Sequence, residues 1–365
     1  MVYRKKTLDE VERKSKRITG MRFDPVARVG EIISLPTAVM SWILDSVRFT
    51  DIVNTSLDWD PSQCRVSPGD AVKAMVMTMS MDAYRPALEN VAGRFAGQPV
   101  KLMFDSVEKN TDLDPDMMAR TLDRVYHADP VKLFMTVSAA LRSHFRIITK
   151  AVHSDTTSVS VYGTYDEDEC DGIMITHGYS KDRRPDLRQF MIGDAVNESG
   201  IPVLSAPLDG NTTDTEWNDR CLTLLKDMLE EPGVIYVADS KLITAPLVSR
   251  MISDGTKFLS RCPESFEQKM QSRVLMSVDI ENMEDIGTVA KGNRAASRKI
   301  YETGTEFKGT RLRAIAVKSS SLAGKGDAAV KKEEESVAKM LDAFDREYAC
   351  EKDAVKAFAK LEKKI

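Results

Sequence analysis

The chain has 365 residues, enough for two or three domains with a substantial core. Its 42% hydrophobic and 30% charged content excludes a disordered chain, and no run nears the roughly 18 apolar residues that span a membrane. The formal net charge of −4 gives no global sign of nucleic-acid binding, which needs only a local basic surface.

Two stretches are locally basic. Residues 1–22 carry eight Lys/Arg against three Asp/Glu, and residues 288–313 carry seven against two. A solvated tail and a solvated pair of strands are the more common explanation of such runs, and charge alone settles nothing. Arg4, Lys5 and Lys6 open the chain without an apolar signal segment. The five cysteines (Cys64, Cys170, Cys221, Cys262, Cys350) are scattered and form no C-x-x-C pair, which argues against zinc or a disulfide framework and suits a cytoplasmic location.

Residues 1–145 read as a helical module. Val39, Met40, Ile43, Leu44 and Val47 fall at helical spacing. Ser67-Pro68, Asp114-Pro115 and Asp129-Pro130 each put a capping side chain before a proline at the first helical position, where the missing N–H costs nothing. The first of these helices should bury Val72, Met75, Val76 and Met79. The second presents Met118, Leu122 and Val125, and the third Leu133, Phe134, Val137 and Leu141.

Residues 146–275 read as an α/β layer of mixed strand direction. Ile147-Ile148 and the alternation through Val152, Ser154, Val159 and Val161 predict strand, as do Ile173–Thr176, Phe190–Val196 and Val203–Ala206. Thr213-x-x-Glu216 is a capping box opening a helix that buries Trp217, Cys221, Leu224, Leu225 and Met228. Val234–Ala238 is a continuous apolar run of the kind buried on both faces of a sheet. A helix near 245–254 and a strand at Phe258-Leu259 follow. Residues 276–365 begin with Gly-punctuated basic strands. They turn helical beyond Gly326, where Val337, Met340, Leu341, Phe344 and Tyr348 share a face, followed by Val355, Phe358 and Leu361.

Two carboxylates stand out by position. Asp155 sits inside the first strand, in His153-Ser154-Asp155-Thr156-Thr157-Ser158, and Asp239 follows the apolar run in Ala238-Asp239-Ser240-Lys241. An acid at the carboxyl end of a central strand is costly to bury unless paired or bound to a cation. Two such groups could share divalent ions, and oxygen ligands favour Mg2+ or Mn2+. Two ions roughly 3.5–4 Å apart would clamp the attacking and leaving oxygens of a phosphoryl displacement. A structural role as a turn or cap residue is the alternative for either Asp alone. Between them, Thr176–Leu187 gathers three cations with a His and a Tyr, where Lys181, Arg183 and Arg184 could contact phosphates or form an ordinary charged hairpin. His153 and His177 are weaker candidates as metal ligands.

These residues resemble prokaryotic insertion-sequence transposases of the DDE class, whose third acid lies in a Tyr-x2-Arg-x3-Glu-x6-Lys motif. His153–Ser158 with Tyr162-Gly163 is similar to the first-aspartate strand of that family. Gly178-Tyr179-Ser180-Lys181-Asp182, with Arg184-Pro185-Asp186-Leu187 and Gln189, is similar to its most recognisable signature. Gly210-Asn211-Thr212-Thr213-Asp214 resembles its Gly-Asn turn, and Ala238-Asp239-Ser240 its second-aspartate strand end. The helical stretch 66–146, including Leu122-Asp123-Arg124, also resembles the family's N-terminal module.

The resemblance implies an RNase H-like mixed sheet with flanking helices, preceded by an all-helical module and followed, from about 276, by a partial inserted β/helical segment. It implies Asp155 and Asp239 as catalytic metal ligands in a two-ion Mg2+ or Mn2+ site. Lys181, Arg183, Arg184, Lys241, Arg294 and Arg298 become candidate DNA contacts. The partners implied are double-stranded DNA, as terminal inverted repeats and target, and a second copy of the complete chain. No Tyr-x2-Arg-x3-Glu occurs here: Tyr301 and Tyr348 are followed at the Arg position by Gly304 and Glu351. Glu333–Glu335, Glu281 and Glu284 lack the surrounding motif, so the chain is expected to stop before its third acid and to be inactive alone. The rival expectations are a DNA-binding remnant that partners an intact transposase, an aspartate-dependent phosphatase, and a helical scaffold. The phosphatase would need a second acid after Asp155, which Thr156-Thr157 does not supply.

Overall fold

The structure is a computed structural model, and it describes residues 35–81, 87–165, 172–229, 231–267, 269–291, 294–322, 350–353 and 355. The basic segment 1–22 and most of the expected helices beyond Gly326, with Glu333–Glu335, lie outside the described residues. The chain divides into two compact units, residues 1–242 with 251–259, and residues 243–250 with 260–365.

The first unit begins with helices α1 (Leu35–Ser46), α2 (Phe49–Ser56), α3 (Pro68–Met81), α4 (Pro115–His127) and α5 (Pro130–His144). Each predicted proline start is capped. Ser67 Oγ accepts the Asp70 N–H at 3.1 Å, Asp114 accepts that of Met117 at 3.0 Å, and Asp129 that of Lys132 at 2.9 Å. Val53, Ala71, Ala74, Met77, Phe95, Leu113 and Met118 form the buried centre of a shared core.

Helix α3 buries Met75 and packs Val72 and Val76 against the core, but its predicted stripe stops short of Met79. Met79 is 63% exposed, whereas Asp70 and Lys73 are buried. Polar groups can occupy the core side because each finds partners. Asp70 accepts the Ser106 N–H at 2.7 Å and the Ser106 hydroxyl at 2.6 Å. The Lys73 ammonium meets the Asp45 carboxylate and the Met103 carbonyl, over the Phe104 ring.

Strands β1 (Ala151–Val161), β2 (Arg188–Asn197), β3 (Pro202–Leu208), β4 (Ile235–Ala238) and β5 (Lys257–Ser260) form one sheet in the order β3-β2-β1-β4-β5. The first three pair antiparallel, and β1 pairs parallel with β4. This is the mixed α/β class, a mixed sheet with flanking helices, that the resemblance implies. Helix α6 (Asp214–Leu224) opens with the predicted Thr213–Glu216 capping box. It packs on β1 and β2: Trp217 Nε1–H donates to Ser154 Oγ at 2.9 Å, and its ring lies where a Cβ on Gly193 would stand, 2.5 Å away.

Two predicted strands shrink. Ile147 closes α5 instead: Arg146 is left-handed at φ 52° and the Ile147 N–H reaches the Arg142 carbonyl at 2.8 Å, a helix-ending turn. The strand proper starts at Ala151, where Glu198 accepts the N–H groups of Lys150 and Ala151 at 2.9 and 3.2 Å. Ile173–Thr176 contributes only a bridge between Thr176 and Gln189. The run 234–238 is not buried on both faces, since Ile235 is 37% exposed while Tyr236 is fully buried.

The second unit contains most of α7 (Ala245–Ser253), helix α8 (Met270–Met276) and an antiparallel sheet of β6 (Glu284–Lys291), β7 (Arg294–Phe307) and β8 (Thr310–Ser319). Tyr301, Thr303, Thr305 and Phe307 alternate with exposed Glu302, Gly304 and Glu306, so one face is shielded and the other solvated.

Candidate functional site

β1 and β4 are parallel neighbours with Ala151 opposite Ile235, Val152 opposite Tyr236 and His153 opposite Val237. Asp155 and Asp239 each follow the last paired position of their strand by two residues. Along β1, Val152, Ser154, Thr156 and Ser158 are buried, whereas His153, Asp155 and Thr157 are exposed. His153 and Asp155 therefore share the solvated face, because side chains alternate along a strand. The Asp155 side chain is 81% exposed, and Asp239 is also exposed. Neither acid carries the burial cost expected of its strand-end position, and both are solvent-exposed carboxylates.

Asp155 Oδ1 accepts the Thr156 N–H at 2.8 Å and faces the Lys181 ammonium at 3.3 Å. Lys181 also donates to the Thr156 carbonyl and, at 3.0 Å, to Thr156 Oγ1. Thr156 Oγ1 donates in turn to Asp214 Oδ1 at 2.6 Å, and that oxygen stands 3.9 Å from the ammonium. Residues from three separate motifs thus meet at one point: Asp155-Thr156, Lys181, and Asp214 in the first turn of α6.

The Gly-Tyr-Ser-Lys-Asp segment is anchored by close backbone packing. A Cβ on Gly178 would lie 2.1 Å from the Gly210 carbonyl oxygen, and one on Gly210 would lie 2.0 Å from that of Gln189. Gln189, 1% exposed, donates from Nε2 to the Gly210 carbonyl at 2.7 Å. The Lys181 N–H donates to Ser158 Oγ at 3.1 Å. Lys181 is therefore held by its main chain and by its side chain.

The other predicted cations have settings of their own. Arg183 is exposed and left-handed at φ 59° in the turn closed by its N–H to the Ser180 carbonyl. Arg184 forks onto Asp186, Nε to Oδ1 at 2.9 Å and Nη2 to Oδ2 at 2.7 Å. This pairing raises the guanidinium pKa and holds the Asp186 carboxyl below the usual carboxylate range. Lys241 follows Asp239, whose Oδ1 accepts the Lys241 N–H at 2.9 Å. Arg298 is exposed on β7, and Arg294 opens that strand with its side chain outside the described residues. His153 and His177 are both exposed.

Sequence reasoning missed Asp194, which stands directly opposite Asp155 in the β1–β2 ladder. Residues paired in antiparallel register point to the same face, so the two carboxylates are neighbours. The alternation of β2 places Asp194 with Phe190 and Ile192, but only the register reveals what it faces. Asp214, quoted only as part of the Gly-Asn turn, was also missed as a partner of Lys181. Among the described residues, no group of three or more His, Cys, Asp or Glu side chains could hold a metal ion. No helix among them is long and apolar enough to cross a membrane.

The fold and site together define a mixed α/β protein with solvent-exposed carboxylates on adjacent central strands. Residues 36–139 match a family described as a domain of unknown function, DUF4277. No curated protein matches the sequence. Solved structures that are similar include a Mos1 transposase paired-end complex with the left transposon end, at 11% identity and a TM-score of 0.22, over 71% of this chain and 69% of that one. A piggyBac transposase synaptic complex with hairpin DNA is similar at 11% identity and a TM-score of 0.35, over 79% of this chain and 62% of that one. A Mos1 mariner paired-end complex with Mn is similar at 13% identity and a TM-score of 0.22, over 74% and 79%.

Proposed function

We propose that this chain is an insertion-sequence transposase protein of the DDE class that binds terminal inverted repeats and target DNA. In this reading Asp155 and Asp239 are the first two metal-binding acids. The single observation supporting it is the parallel β1–β4 register, in which the acids of two separate motifs follow paired residues by the same two-residue step. Both offer hard, solvated oxygen donors suited to Mg2+ or Mn2+, whose remaining ligands would be water and phosphate. Bound there, such ions would supply charge stabilisation for phosphodiester displacement.

The chain's own residues have simpler tasks. Asp155 is fixed by the Thr156 N–H, and Asp239 by the start of the following turn. Arg183, Lys241, Arg298 and Arg294 would contact phosphates, which set position and carry no sequence information. Arg184 would do so from its Asp186 fork. Two copies would synapse two DNA ends. The alternative reading, a catalytically dead protein that binds element ends or partners an intact transposase, keeps the same DNA contacts.

Mobility-shift and nicking assays on duplexes from the DNA flanking the coding sequence separate these readings. Specific retardation, with Mn2+-dependent nicking that Asp155→Asn and Asp239→Asn abolish, supports the enzyme. Retardation without nicking supports the DNA-binding alternative. Binding no tighter than to unrelated duplex would overturn both.

A further inference from the structure

An ammonium group has three N–H donors and no acceptor. In Lys181 all three are committed, to the Thr156 carbonyl, to Thr156 Oγ1 at 3.0 Å and to Asp155 Oδ1 at 3.3 Å. A fourth oxygen, Asp214 Oδ1, stands 3.9 Å away. The ammonium therefore sits among four oxygens, two of them from carboxylates, and keeps no donor for a DNA phosphate. Its side chain is 35% exposed, against 81% for Asp155, so the outer side of the carboxylate remains open to solvent.

The strand layout explains why the amine fits here. β4 ends at Ala238, one residue past the partner of His153, so the level of Thr156 has β2 as a neighbour but no β4 residue paired with it. Lys181 supplies a donor for the Thr156 carbonyl at that level. The ammonium also offsets the charge of Asp155, which has Asp194 directly opposite.

We propose that Lys181 is the resident counter-cation of this carboxylate group, and that a divalent ion binding Asp155 displaces its ammonium and frees it for a DNA phosphate. The proposal rests on Asp155 being a metal ligand. It adds that metal loading and the phosphate contact of Lys181 are one coupled event. It also reassigns Lys181 from a permanent DNA contact to a conditional one. Like charges repel in proportion to their proximity, so an amine on the ligand oxygen must weaken metal binding.

Mn2+ binding to the full chain, followed by electron paramagnetic resonance without DNA, tests this. Lys181→Met should tighten binding by roughly three- to tenfold, the effect of removing one partly screened unit charge. Lys181→Arg, which keeps the charge, should stay near wild type, and Asp155→Asn should weaken binding. In DNA titrations, Lys181→Met should lower the salt dependence by about one phosphate contact with Mn2+ present, and leave it unchanged without. Unchanged or weaker Mn2+ binding by Lys181→Met, with Asp155→Asn still impaired, overturns the proposal and leaves the metal reading standing. Asp155→Asn binding Mn2+ like wild type removes the metal reading itself. Thermal melts of both Lys181 variants separate misfolding from a charge effect.

Discussion

Asp155 on β1 and Asp194 on β2 form a direct cross-strand pair, two carboxylates facing one another on the solvated side of the central sheet. Like charges so placed destabilise a ladder by a few tenths to about 1 kcal/mol. The Lys181 ammonium lies against Asp155 and offsets part of that repulsion. Asp194→Asn should therefore stabilise the protein by about 0.5 kcal/mol in low salt, and the gain should shrink as salt screens the repulsion. Urea unfolding at two ionic strengths measures this. A loss of stability would show that Asp194 makes a favourable contact instead.

The glycines of the two signature turns should tolerate no side chain. Gly178→Ala and Gly210→Ala each drive a Cβ to about 2 Å from a backbone carbonyl oxygen, which cannot rotate away. Each should cost at least 1–3 kcal/mol, about the cost of an overpacked core. Gly93 is the control. It lies in the short helix Val91–Arg94 with nothing near its would-be Cβ, so Gly93→Ala should be neutral or stabilise by about 0.5–1 kcal/mol. Melting temperatures of the three variants should separate into two groups.

Asp70 is fully buried and accepts both the N–H and the hydroxyl of Ser106. Asp70→Ala leaves these donors without their acceptor in the core and should cost about 2–4 kcal/mol. Asp70→Asn keeps one acceptor oxygen and should cost less. Guanidinium unfolding of the two variants gives the order, and a milder effect for Ala than for Asn would contradict this role.

Glu216 accepts the Thr213 N–H and hydroxyl in the capping box, and these bonds hold its carboxyl below the ordinary glutamate range. A depressed folded-state pKa stabilises the fold above the unfolded value, near 4.3, and that contribution is lost as pH falls through the lower folded value. The stability gap between wild type and Glu216→Gln should thus be present at pH 7 and close below about pH 4. Denaturation midpoints across pH 3–7 check it, and a gap independent of pH would mean that the cap works without its charge.

Local features were legible in the sequence, and features set by distant partners were not. Capping at Ser67, Asp114, Asp129 and Thr213 depends on residues three apart, so sequence showed it directly. The strand alternation around Asp155 was visible for the same reason. The polar part of the buried face of α3 was hidden, because Asp70 and Lys73 are rescued by Ser106 and Asp45, which are distant in the chain. The opposition of Asp155 and Asp194 needs a register that only pairing defines. Lys181 read as a phosphate contact because composition cannot show that its three donors are already spent on Thr156 and Asp155.

The indole of Trp217 fills the space in which a side chain at 193 would begin. Those two positions can therefore change only as a couple: a relative that gains a methyl at 193 must carry a smaller group at 217. The hydroxyl of Ser154 would then lose the indole N–H that it accepts. Homologous sequences should accordingly show three-way covariation among 154, 193 and 217, an evolutionary signature imposed by volume between 193 and 217 and by a hydrogen bond between 217 and 154.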